Sequence, residues 1–124
     1  EESNSIATIV KHMSGNMLSR WTEFFTTDGE KEWRMRDEEF ENVMLTRADL
    51  ISKWEAGWDC FYKVLDNLTA VDLERIIFIR QQPLSVTAAI NRQLAHYPYH
   101  VGQIVFIGKI LCDSNWESLS IPKK

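Results

Sequence analysis

Three histidines, His12, His96 and His100, are the residues of this 124-residue chain best placed to do chemistry. His96 and His100 stand four apart, so on a regular helix they project from the same side, one turn apart. A pair at that spacing can chelate one divalent ion, because neutral imidazole nitrogens about 2.0–2.1 Å from the metal converge across a single turn. His12 lies between Val10 and Met13, close to the apolar face of an earlier helix. It becomes a third ligand if the two helices are neighbours. The alternative is structural: a histidine beside an apolar stripe is more often hydrogen-bonded at the edge of a core than bound to metal. Pro98, between the pair, leaves two outcomes open. It removes the amide that would bond to Leu94 and biases Tyr97 away from helical dihedrals. Either the helix breaks and the histidines separate, or it kinks and opens a cavity on one side.

The polar residues around the histidines extend the site. Asn16 follows His12 by one turn, Gln93 precedes His96 by three residues, and Gln103 follows His100 by three. They are candidates to fix imidazole tautomers, with ordinary interhelical hydrogen bonding as the plainer reading. Arg20 and Arg92 are candidates to hold an anionic substrate group, or to pair with the acidic excess. Tyr97 and Tyr99 flank the pair, placed either to offer a phenol to a substrate or to pack on Trp21 or Trp54. There is no Gly-rich phosphate loop, nucleophile elbow, Cys-x-x-Cys or His-Glu-x-x-His helix, which argues against a zincin-type peptidase. No catalytic residue can be named.

Three helices must position these residues. The first is expected from Ser5, as N-cap, to about Phe25, with Ile6, Ile9, Val10, Met13, Met17, Trp21 and Phe24 on one face. Gly15 costs its middle roughly 1 kcal/mol relative to alanine, so it is read as a point of close packing. Thr26 to Glu41 is charged, carries an Asp28-Gly29 turn signal and has Trp33, Met35 and Phe40 as apolar anchors. It is expected to be an ordered surface connection. The second helix starts at Thr46, with Asp49 as a capping partner. It carries a seam of Leu50, Trp54, Trp58, Phe61, Leu65 and Leu68. Arg75 to Arg80 suits a short strand closed by Pro83, a hairpin near 75–84. The third helix is expected from Ser85 to about Cys112, with an inward face of Val86, Ala89, Ile90, Leu94, Val101, Ile104, Val105, Ile107 and Leu111. Trp116, Leu119 and Ile121 alone pin the tail. The class is all-α, an antiparallel bundle with one short hairpin, in a single domain over 1–124.

Composition narrows the function. The net charge is −4, so a broad phosphate-binding surface, and with it nucleic acid, is not expected. No apolar run approaches the roughly 18–20 residues that cross a bilayer, and no signal peptide is recognisable. Cys60 and Cys112 are too few for a disulfide framework and read as buried thiols in a reducing compartment. A cytoplasmic protein with a small-molecule substrate is expected.

The stretches SIATIVKHMSGNMLSRW (5–21), DGEKEWRMRDEEFE (28–41) and INRQLAHYPYHVGQIVFIGK (90–109) together resemble the DinB/YfiT-like superfamily of bacterial proteins. The likeness is to the branch with an NRQLAHYxYHVGQI signature and covers nearly the whole chain. The resemblance implies an up-down-down-up four-helix bundle, commonly dimeric, with a divalent metal held by three histidines. Carried over, these are His12, His96 and His100. It also implies a helix ahead of the one bearing His12. The bundle is therefore expected to lack its first helix in this sequence, with a second subunit of a homodimer completing it. Relatives include S-transferases using low-molecular-weight thiols such as bacillithiol or mycothiol, and an isomerase; older descriptions call many members metal-dependent hydrolases. A neutral three-histidine shell leaves the metal's charge and open positions available, to acidify water or to bind a thiol as thiolate. Zinc, nickel, manganese and iron all suit it. No strong general base is evident near the histidines, which favours thiol transfer over hydrolysis, with a non-catalytic metal-stabilised binding bundle as the other alternative.

Overall fold

The computed structural model describes residues 4–41 and 43–121. The protein is mainly helical with one short hairpin: α1 (Ile6–Trp21), α2 (Arg47–Asp66), β1 (Ile76–Ile79), β2 (Gln82–Ser85) and α3 (Val86–Cys112), with single 3-10 turns at Asp37–Phe40, Ala70–Glu74 and Asp113–Asn115. Each helix begins where a side chain can take an orphaned amide. Ser5 accepts from Thr8 N, Ser85 accepts from Ala88 N, and Thr46 forms a reciprocal capping box with Asp49.

α1 is the spine. Ile9, Met13, Met17 and Trp21 are buried at steps of four, and Trp21 meets Phe61 of α2. Each such side chain removed from water contributes about 1.5–3 kcal/mol. Along the pair, Ile6 and Val10 share an apolar hollow with Leu50 and Trp54. Higher up, Ser14 and Met17 face Gly57, and Thr22 faces Cys60. α1 and α2 therefore run side by side in the same direction. A Cβ on Gly57 would lie 3.1 Å from Ser14 Cα, so the glycine sets how closely the two backbones approach. α3 runs the opposite way along α1: Tyr97 lies by Trp21, His96 by His12, and Ile104 by Ile6 and Val10.

Two parallel helices need a connection as long as the helices, and residues 22–46 supply it. α1 stops at Trp21 rather than continuing to Phe25, and the chain turns back through Glu23, whose φ is 47°. It then runs down α1 as a strap. Lys31 N donates to Ser19 Oγ and Arg20 reaches Gly29 O. Further down, Arg34 and Glu39 lie over Gly15. The expected apolar anchors do not hold it: Trp33 is 57% and Met35 59% exposed, and Phe40 is also exposed. Buried Arg34 and Glu39 hold it instead.

The hairpin packs Ile77 and Ile79 into the core while Ile76 and Phe78 face out. Pro83 does not close the strand; it pairs with Phe78 within β2, where a two-stranded sheet leaves an edge for it. The loop residues Arg80 and Gln81 both have positive φ, 54° and 61°, as a two-residue hairpin turn demands. Asp28 holds that turn by accepting from both amides.

α3 differs from its expected face. Its buried residues are Val86, Ala89, Gln93 and Tyr97, whereas Leu94 (65%) and Leu111 (74%) are exposed. The two leucines lie off the line that meets α1. Cys112 is exposed and Cys60 half-buried, so neither is the buried thiol expected. Of the tail's apolar residues, Leu119 and Ile121 are exposed; Trp116 is the one that packs, beneath Lys109 and against Gly108. Among the described residues, no helix is long and apolar enough to cross a membrane.

Candidate metal centre

α3 continues through Pro98 without a break. The proline is exposed and so is Leu94, so water can reach the carbonyl whose amide partner is missing. His96 and His100 therefore stay on one side, with their Nε2 atoms 3.1 Å apart. His12 Nε2 comes from α1 to 3.4 Å from His96 Nε2. The three histidines form a group able to hold a metal ion, their ligand atoms all lying within 4.8 Å of one another. Nitrogens bound at 2.0–2.1 Å to one tetrahedral ion stand about 3.3–3.4 Å apart, so the spacing fits a shared cation.

The outward nitrogens explain why the inward ones are lone pairs. His12 Nδ1 donates to Glu39 Oε2 at 2.9 Å, and His100 Nδ1 donates to Gln103 Oε1 at 2.8 Å. Gln103 is oriented in turn, its Nε2 donating to the Tyr99 hydroxyl. With the protons on Nδ1, both Nε2 atoms face the centre unprotonated, as ligands must. Burial pushes His96 down to about 4, with the neighbouring His100 and His12 adding to the effect. Burial also lowers His100, against the opposing hydrogen bond to Gln103. Both are neutral at pH 7.

Glu39 is the residue that sequence reasoning missed. It sits in the acid-rich connection, where nothing in the spacing distinguishes it from Glu38 or Glu41. Arg34 grips it with Nε to Oε1 and Nη2 to Oε2, both at 2.8 Å. Burial alone would raise its pKa, but the hydrogen bonds from His12 and Arg34 outweigh this and hold it below the usual carboxylate range. The one sequence signal was Gly15, three residues after His12. A Cβ there would collide with Glu39 Oε1 and lie 2.9 Å from its carboxyl carbon.

The remaining candidates divide. Gln103 is where a tautomer-fixing partner was expected. Asn16 and Gln93 do not hydrogen-bond to the histidines; both line a cavity with His12 and His96, of about 230 Å³. Tyr97 is buried, accepts from Trp21 Nε1 at 2.9 Å and donates to Asn16, and burial raises its pKa. It packs the core rather than offering a phenol. Tyr99 is exposed. Arg20 is buried on Gly29 O and Glu30, and burial lowers its pKa. Arg92 stands at the cavity, where Arg34, Arg36 and Arg80 join it, none of these three foreseen.

The family model described as "Protein of unknown function (DUF1572)" matches residues 1–124. The chain belongs to this family. No curated protein and no solved structure matches it. The family's description assigns no activity, so the chemistry rests on the site itself.

Proposed function

We propose that this family member is a divalent-metal-dependent enzyme of the DinB/YfiT-like kind, using a low-molecular-weight thiol in an S-transfer reaction. The observation that carries the metal is the arrangement of nitrogens: three Nε2 atoms turned inward while Glu39 and Gln103 occupy Nδ1 of His12 and His100. The superfamily assignment is supported by the helix directions, two parallel helices and an antiparallel third, which are those of the down-down-up portion of such a bundle.

His12, His96 and His100 would hold the cation. A divalent cation there supplies Lewis acidity, which favours the thiolate form of a bound thiol at neutral pH. The chain's residues set the conditions. Glu39 fixes the His12 ring and adds one negative charge behind it, while Arg34 keeps that carboxylate ionised and in place. The adjoining cavity receives the second reactant. Hydrolysis would profit from a general base, but among the described residues lining the cavity there is no carboxylate, and both Glu39 oxygens are engaged. That favours thiol transfer.

The test is metal content per chain by plasma mass spectrometry, on wild type and His96→Ala, followed by thiol consumption with a panel of electrophiles. About one metal per chain, lost in the variant, with metal-dependent thiol consumption is the expected result. Metal without turnover would leave a metal-stabilised binding bundle. No metal after incubation with zinc, nickel, manganese and iron would overturn the reading.

A further inference from the structure

The cavity beside the histidines is unusual in its charge. Five arginines line it: Arg20, Arg34, Arg36, Arg80 and Arg92. Their ion-pair partners are Glu30, shared by Arg20 and Arg80 and approached by Arg34; Glu39, taken by Arg34; and Asp37, 3.7 Å from Arg36. Five guanidiniums thus face three carboxylates, and Arg92 makes no ion pair among the described residues. Arg20 and Arg34 are buried while Arg36, Arg80 and Arg92 are exposed, and positive charge left over around this partly enclosed space favours an anion there.

A second observation is independent of charge. Gln93 lines the same cavity and is 2% exposed, and its buried side-chain oxygen has no hydrogen-bond partner among the described residues. A buried polar atom left unsatisfied costs roughly 1–3 kcal/mol. Gln93 follows Arg92 and precedes His96 by three residues on α3, and all three line the one cavity. Its unmet requirement is a donor.

We propose that this cavity binds a small organic acid: a carboxylate or phosphate held by Arg92 with its neighbouring arginines, and an adjacent hydroxyl or amine donating to Gln93. This deepens the enzyme reading by naming the substrate class of the same site, and it rests on that reading for the acid being a reactant. At about 230 Å³ the cavity lies below the roughly 300–1,000 Å³ typical of drug-sized ligands, so the acid is a small metabolite. The guanidinium fork matches carboxylate and phosphate equally, and the test separates them.

Calorimetric titrations at fixed ionic strength would use malate, succinate, succinamide and inorganic phosphate as probes, with metal content measured on every sample. Malate is expected to bind, succinate more weakly for want of the hydroxyl, and neutral succinamide not at all. Phosphate binding better than succinate would assign the anion as a phosphate; the reverse would assign a carboxylate. Arg92→Ala should weaken malate about tenfold or more with metal content unchanged, and Arg92→Lys should restore part of it. Gln93→Leu, which keeps the buried volume, should bring malate down to the level of succinate and leave succinate as it was. Equal binding of succinamide, no effect of Arg92→Ala, or no binding of any probe at tens of millimolar would overturn the proposal. Anion binding by a protein that takes up no metal would sink the enzyme reading and keep the pocket; metal uptake without anion binding would do the opposite.

Discussion

His12 and His100 present the same atom to the same point, yet they are held in different ways. His12 is buried, and its Nδ1 partner is a carboxylate 27 residues along the chain, itself clamped by an arginine whose side chain is 3% exposed. His100 is half-buried, and its partner is a neutral amide three residues along the same helix, oriented by an exposed tyrosine. One wall of the site is charge-assisted and imported by the strap; the other is neutral and local. Hydrogen bonds with an ionised partner are roughly twice as strong as neutral ones. The strap wall should therefore set affinity and couple to folding, and it also borders the cavity through His12, Arg34 and Arg36, while the helix wall contributes less to either.

The largest effect should come from Glu39→Ala. It strands Arg34 in the interior, and breaking a buried pair from one side costs about 3–5 kcal/mol. Metal affinity should fall by roughly 10–100-fold through loss of the His12 partner. Denaturant titration and metal competition against a chromophoric chelator would measure the two. If Glu39→Ala unfolded no more easily than Gln103→Ala, the contrast between the walls would be wrong.

Acid titration of the metal-free protein addresses the other wall. His96, at about 4 in the fold, lies below the roughly 6.5 of an unfolded chain. Between those values the unfolded state binds more protons, so stability rises with pH. The contribution is present above about 6.5 and is lost as the pH falls towards 4. Glu39, held below the usual range, stays ionised through most of that window. The denaturation midpoint after chelation should therefore drop between pH 7 and pH 5, and a flat profile would assign the neutral imidazoles wrongly.

Gly15→Ala sharpens the comparison without removing a polar group. Alanine favours the helix by roughly 1 kcal/mol, but its methyl occupies the position of the Glu39 carboxylate. Helix content by circular dichroism should hold while metal affinity drops about tenfold, towards the Glu39→Ala value. Gln103→Ala should do less, costing about 0.5–1.5 kcal/mol for one half-buried neutral hydrogen bond and lowering metal affinity by about tenfold at most. Tyr99→Phe, which only frees the Gln103 amide, should be the smallest, visible at most as a slight gain in the metal off-rate.

Much of the fold was legible because helices are written in local terms. The N-caps at Ser5, Thr46 and Ser85 and the three- and four-residue apolar steps marked three helices, and Arg75–Arg80 marked the hairpin's first strand, which the structure trims to Ile76–Ile79. The helix wall was legible in part: spacing puts His96, His100 and Gln103 on one face of an unbroken helix, and the structure decided that the helix runs on through Pro98. The third helix's inward face was less so, since Leu94 and Leu111 are as apolar as Val86 and only packing against α1 distinguishes them.

What the chain determined by itself is therefore what lies within one or two turns: helix starts, the spacing of the two late histidines and their amide neighbour, and a point of close packing at Gly15. Tertiary structure alone decided the rest. The parallel course of α1 and α2 forces a strap back along α1, and that strap brings Glu39 and Arg34 to His12 and the strap and hairpin arginines to the cavity. These contacts join residues far apart in sequence, and a charged residue in a loop has no periodicity to announce where it will fold. Burial picked Glu39 out from among its acidic neighbours, because only a carboxylate that meets both His12 and Arg34 can leave water without a prohibitive cost.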